Sequence, residues 1–151
     1  MDFNLREHEK MLQRTARDFA DREIRPQAAE IDIKCEFPFD IVGKMAKMGY
    51  FGLQYPTDYG GSGAGYTGFA LVVEQLSRAS MVTGAIMGVM SLTGEALFRH
   101  GIEGQRQTHL VSLASGNLIS SFAFTEAATG SDPSSIQTRA VPDGDDYIIT
   151  G

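Results

Sequence analysis

Cysteine occurs once, at Cys35, so no internal disulfide can form and the cross-linked scaffolds of small secreted domains are excluded. A lone thiol suits a reducing cytosol, and the plain expectation for Cys35 is a small side chain packed in the core. Positive charge is also scarce. Thirteen Lys and Arg face nineteen Asp and Glu, giving a formal net charge of -6, and there is no basic stripe of the kind that releases counterions from phosphates, so no nucleic-acid partner is expected. Long apolar runs are missing too. The most apolar stretch, 81–92, is broken by Gly84, Gly88 and Ser91 and falls short of the ~20 residues a membrane span requires, so it is expected to be a buried helix. Residues 1–10 are polar and partly acidic, so neither a secretory leader nor a transit peptide is expected. No G-x-G-x-x-G follows a strand and no G-x-x-x-x-G-K-[ST] occurs, which leaves the glycines of 50–65 as turn formers. His8, His100 and His109 lack partners at ligand spacing, so no metal site is expected.

What is present is a chain of 151 residues with 42% hydrophobic content, enough to bury a core. From Leu5 to about Ile33 the composition is helical, with Leu5, Leu12, Ala16 and Phe19 on one face; Pro26 either kinks one long helix or opens a second. After Pro38, Ile41, Met45 and Met48 recur at helical spacing, and Gly49 is placed to end that helix. Residues 50–65 lose all periodicity and read as a loop. Helical spacing resumes through Ala70, Val73 and Leu76, and again over 82–99, where Gly84 and Gly88 offer close approach to a neighbouring helix. A short helix over 105–114 turns Leu110 and Leu113 inward and stops at Gly116. The pattern then changes: 118–125, 136–141 and 147–150 read as short β runs, with Pro142 and Gly144 setting a hairpin turn. The expected architecture is mainly α, a helical domain over 1–115 followed over 116–151 by the first strands of a β domain too small to close a barrel.

The segment 122–132, FAFTEAATGSD, resembles the signature of the acyl-CoA dehydrogenase family, in which a strand ends in Thr-Glu and a short loop ends in Gly-Ser-Asp. The loop 55–61, YPTDYGG, is similar to that family's proline and paired-glycine loop, and 100–106 and 113–116 resemble its approach to the signature strand, so the likeness covers essentially the whole chain. It implies an N-terminal helical bundle of the acyl-CoA dehydrogenase type leading into an incomplete β-barrel domain, with a C-terminal four-helix bundle absent from these residues.

The same resemblance implies FAD as cofactor, an acyl-CoA thioester as substrate, an electron-transferring flavoprotein as partner, and a homo-oligomer, a tetramer in the full-length parent. Its flavin contacts fall on Phe122, Ala123, Phe124, Thr125, Gly130 and Ser131, with Ser131 also reaching the acyl-CoA, and no catalytic residue falls within the chain, because the family's carboxylate base lies in the C-terminal bundle. Glu95 and Glu126 are accordingly read as structural or solvated, and Asp132 as a partner of local backbone N–H groups. These 151 residues alone are expected to be inactive. The sequence departs from the family at Phe124, Ala127 and Thr129, where an aliphatic residue, proline and a small residue are usual, which leaves room for an acyl-CoA oxidase, a flavin monooxygenase or a carrier-protein-linked dehydrogenase on the same scaffold. A non-catalytic helical interaction module, whose β tail offers an edge to a partner strand, is the reading from a different class.

Overall fold

The structure, a computed structural model, describes residues 4–151. The reading of 1–10 as leaderless falls in part on residues 1–3, which lie outside the described residues. The chain divides into two compact units, one ending at Ser121 and one formed by Phe122–Gly151. The change of pattern at 115–116 marks the end of the last helix; the division itself comes later.

Among the described residues, seven α-helical segments build the first unit: α1 Glu7–Phe19, α2 Ala28–Lys34, α3 Phe39–Lys47, α4 Gly65–Ala79, α5 Met81–His100, α6 Glu103–Gln105 and α7 Val111–Ala114. Pro26 neither simply kinks one helix nor starts a second. The path from α1 to α2 is continuous but passes through a π turn, Ala20–Ile24, and a 3-10 turn, Arg25–Gln27. Proline lacks an N–H and its ring crowds the carbonyl four residues back, and the widened π turn relieves that crowding, with the Arg25 N–H reaching back five residues to the Ala20 carbonyl. A second π turn, Arg106–Leu110, joins α6 to α7 in the same way.

Helix α4 packs against both α1 and α5, and the core between them holds Ala16, Phe19, Ala20, Ile24, Val72, Leu76, Met87 and Met90. The inward face of α4 is Gly68, Val72, Gln75 and Leu76, one step round from the Ala70, Val73 and Leu76 stripe; Ala70 is exposed, because the axis is turned to meet two helices rather than one. Ile41 and Met45 of α3 join this core while Met48 stays largely exposed. Gly49 takes φ +70° immediately beyond the helix, as its placement requires.

The loop 50–65 is the largest departure from the sequence reading. It contains two 3-10 turns, Tyr50–Gly52 and Thr57–Tyr59, and buries Tyr50, Phe51, Leu53 and Tyr55. Tyr50 meets Phe19 edge to face at 5.5 Å, so an aperiodic segment carries a substantial part of the core. Gly52 and Gly61 are there for space, whereas Gly60, Gly63 and Gly65 take positive φ of 75°, 67° and 69°. A Cβ on Gly61 would lie 2.0 Å from the Tyr55 carbonyl oxygen, and the N–H groups of Gly60, Gly61, Ser62 and Gly63 already donate to Thr57, Pro56, Gly52 and Tyr55 carbonyls, leaving no anion cradle.

Helix α5 differs from a fully buried helix. It is long and apolar enough, at 20 residues, to cross a membrane by length and composition, yet Met81, Val89 and Leu92 lie exposed along one side while Thr83, Gly84, Met87, Met90 and Gly94 face in. Of its glycines, Gly84 sits tight against Ser77 and Gly94 against Tyr55, whereas Gly88 has open space around it, so the close-approach pair is Gly84 and Gly94. Cys35 is not packed: it is exposed and closes α2 in the left-handed conformation, φ 52°.

In the second unit, β1 Arg139–Asp143 pairs antiparallel with β2 Asp146–Thr150, Val141 opposite Ile148. The turn is Gly144–Asp145 alone. Pro142 lies inside β1, opposite Tyr147, which proline tolerates on an edge strand. Residues 118–125 form no strand, because among the described residues their backbone finds no partner strand.

Candidate functional site

The second unit holds an open groove of about 570 Å³ lined by Ala123, Phe124, Thr125, Glu126, Ala127, Ile136, Gln137, Thr138 and Gly151. Three of the residues singled out as flavin contacts, Ala123, Phe124 and Thr125, therefore share one wall. Phe122, Gly130 and Ser131 lie outside its lining, all three exposed.

The wall is open for a physical reason. Among the described residues the main-chain N–H and C=O groups of 122–125 make no backbone hydrogen bond, so the polar edge of this segment is free to pair with a planar ligand. The Phe122 and Phe124 rings stack nearly parallel, 5.5 Å apart at 15°, and both keep a large share of their area exposed. Apolar rings beside unpaired main-chain groups and a free Thr125 side chain are a donor set that suits a flat heteroaromatic ring, and in that respect the residues fit a flavin.

Beyond Thr125 the chain folds into a tight turn. Glu126 and Thr129 exchange main-chain hydrogen bonds of 3.2 and 3.1 Å around Ala127 and Ala128, so the turn forms without the proline that the signature usually has. Gly130 is not in the left-handed region; the hydrogen-bonded turn falls at Ala127–Ala128, and the chain bends again at Gly130–Ser131. Thr129 is the buried residue of this loop, and its hydroxyl has no hydrogen-bond partner there. Asp132 behaves as read from sequence: its Oδ1 accepts from the Ser134 N–H at 2.9 Å, capping the short Pro133–Ser135 turn, and that bond holds its carboxyl below the usual range.

Both carboxylates considered as candidate bases are occupied. Glu95 accepts from the Tyr66 hydroxyl at 2.9 Å and from Arg99 Nε at 2.7 Å. Glu126 accepts from the Gln137 and Thr138 N–H groups at 2.8 and 2.9 Å and from the Thr138 hydroxyl; the Thr138 hydroxyl first, then the two N–H groups, hold its carboxyl below the usual range. Thr138 and Gln137 carry no sequence signal of this; they read only as part of a β run. Among the described residues no group of three or more His, Cys, Asp or Glu is arranged to hold a metal.

Residues 6–117 match the family model described as acyl-CoA dehydrogenase, N-terminal domain. The chain is 40% identical, over its whole length, to a Bacillus subtilis (strain 168) protein named probable acyl-CoA dehydrogenase YngJ, and 39% identical to the short-chain specific acyl-CoA dehydrogenase of Clostridium acetobutylicum; it spans 40% of each. The solved butyryl-CoA dehydrogenase of Megasphaera elsdenii superposes with a TM-score of 0.92 at 29% identity, covering all of this chain and 41% of that one. The chain thus spans about two fifths of the length of the relatives it matches. With a helical unit that matches the family model over nearly its whole extent and a fold shared with a solved member, this chain belongs to the acyl-CoA dehydrogenase family.

Proposed function

We propose that the protein is an FAD-dependent acyl-CoA dehydrogenase, acting on the α,β C–C bond of an acyl-CoA thioester, with residues 122–131 as its first flavin segment. One observation carries this reading: the signature-like run directly follows a family-matched helical unit, and its Ala123–Thr125 wall is held open with unpaired main-chain groups. When bound, FAD supplies the acceptor for the hydride that leaves the β-carbon.

The chain's own residues orient that acceptor. The Thr125 hydroxyl and the main chain of 123–125 present hydrogen-bonding groups to the polar edge of the ring, and Phe122 and Phe124 exclude water from its flank. On this reading the N–H groups at Gly130 and Ser131 donate to the pyrophosphate, and the Ser131 side chain contacts the acyl-CoA. Glu95 and Glu126 do not remove the α-proton, because both are tied into hydrogen bonds with neighbouring groups. Electrons pass on to an electron-transferring flavoprotein, the active form is a homo-oligomer, with a tetramer the form the resemblance favours, and the site of action is the cytoplasm.

The test is anaerobic titration of the full-length protein with saturated acyl-CoA thioesters. The expected result is retention of FAD through purification, bleaching of the flavin band by substrate, and a lowered flavin content in Thr125→Ala and Ser131→Ala. A protein that purifies without flavin and takes none up, or a flavin that no acyl-CoA reduces, overturns the reading. Rapid reoxidation by oxygen with peroxide release would instead assign an oxidase.

A further inference from the structure

We infer that Glu126 is a positioning residue for the flavin segment, a clamp that sets the width and direction of the groove wall carrying Thr125. The inference rests on the flavin reading above and adds to it a role for Glu126, a groove residue that is not among the flavin contacts named there.

The groove has two walls. One is Ala123–Ala127 and the other is Ile136–Thr138, which leads into β1. Among the described residues, no main-chain hydrogen bond joins Phe122–Thr125 to Ile136–Thr138. Among the described residues, the hydrogen bonds that link the walls all end on the Glu126 carboxylate: Oε2 accepts from Gln137 N–H at 2.8 Å, and Oε1 accepts from Thr138 N–H at 2.9 Å and from Thr138 Oγ1. The main chain of the same residue is pinned independently, through its paired bonds with Thr129. Glu126 is thus fixed at both ends, and Thr125, one residue upstream, inherits its direction from that fixed point. Charge-assisted bonds to two successive N–H groups form a strong, directional set, one that a neutral side chain reproduces only in part.

Removing one partner leaves specific consequences. Alanine at 126 frees both walls. Glutamine keeps one acceptor oxygen but turns an NH2 group towards a donor, and Thr138→Val removes only the hydroxyl link. The effects should therefore rank Glu126→Ala above Glu126→Gln above Thr138→Val.

The experiment uses the full-length protein, with FAD affinity measured by titration of the apoprotein and visible circular dichroism reporting the flavin's surroundings. Hydrogen exchange by mass spectrometry follows the peptide covering 136–143. Glu126→Ala is expected to weaken FAD binding at least tenfold, to alter the visible dichroism of the flavin that remains, and to speed exchange at Gln137 and Thr138. The helical melting transition should be unchanged, and Glu126→Gln should recover part of the affinity. Faster exchange with FAD affinity within twofold of wild type, or a parallel loss of helical stability with an unaltered flavin spectrum, overturns the clamp alone. Failure of the wild-type protein to bind FAD overturns the flavin reading and this inference with it.

Discussion

Alanine at Gly88 and at Gly94 should move the stability of this chain in opposite directions, although both lie in the interior of α5. Relative to glycine, alanine stabilises a helix interior by about 0.8–1.0 kcal/mol, mainly through backbone entropy. At Gly88 an added Cβ meets nothing within 4 Å, so the whole gain should appear. At Gly94 the Cβ would lie 2.1 Å from the Tyr55 hydroxyl oxygen and 2.9 Å from Cζ. The hydroxyl end of a tyrosine can often swing aside, but here Tyr55 is 1% exposed and its ring lies 5.7 Å from that of Phe98, so it has nowhere to go. Relieving such a contact in a packed core costs about 1–3 kcal/mol, and a clash this short belongs at the upper end. The net for Gly94→Ala is then a destabilisation of about 2 kcal/mol, and for Gly88→Ala a stabilisation of about 1 kcal/mol. At roughly 2–4 °C per kcal/mol for a chain of this size, thermal unfolding followed at 222 nm should fall by about 4–8 °C in the first and rise by about 2–4 °C in the second. Tyr55→Phe removes the nearest atom, so the Gly94→Ala loss should shrink in that background, a coupling that a double-mutant cycle measures directly. A Gly94→Ala protein melting at or above wild type, or an equal loss in the Tyr55→Phe background, would refute the reasoning.

Glu9, almost wholly buried, accepts from the Arg6 guanidinium at 2.6 Å and from the Arg6 N–H at 2.8 Å, bonds that pull its pKa from 4.5 down to about 2. A depressed carboxylate stabilises the fold above its unfolded pKa and loses that contribution as pH falls towards the folded value. The melting-temperature advantage of wild type over Glu9→Gln should be full at pH 7 and shrink between about pH 4.5 and 2; an advantage that holds constant down to pH 2 would contradict this. Cys35→Gly relieves a left-handed residue whose exposed thiol donates a weak bond to the Asp32 carbonyl at 3.4 Å, and should raise stability by about 0.5 kcal/mol, the relief being partly offset by glycine's larger unfolded-state entropy. A lowered melting temperature would show that the thiol contact outweighs the backbone strain. The purified 151-residue chain should give no acyl-CoA-dependent dye reduction, since Glu95 and Glu126 are both engaged; measurable turnover would require one of them to be released.

Periodic segments were legible in the sequence and the aperiodic ones were not. The 3.6-residue spacing located every long helix and put Ile41, Met45, Leu110 and Leu113 on buried faces, because burial of an amphipathic stripe is what that spacing encodes. It failed on 50–65, where Tyr50, Phe51, Leu53 and Tyr55 are buried by 3-10 turns and local hydrogen bonds that leave no period to find. It also placed the α4 stripe one position off, since contact with two helices at once shifts a face in a way that one helix cannot report. For the groove, the run 122–125 was legible as a motif but misread as a strand, because strand formation depends on a partner as well as on composition. Glu126 was read as structural or solvated, yet its bonds to residues eleven and twelve positions onward are tertiary facts that no local pattern announces.

The π turn at Ala20–Ile24 gives the continuous path from α1 to α2 a tolerance that the regular turns of α1 lack. A π turn is an α-helix carrying one surplus residue, so a single deletion within 20–24 can be absorbed by reverting to ordinary helical winding, whereas the same deletion inside α1 would rotate every following residue by about 100° and carry Ala16 and Phe19 off the core. Residue number and spatial position are locally decoupled there, and an alignment gap falling at that turn in related chains would mark a change of winding rather than a loss of structure.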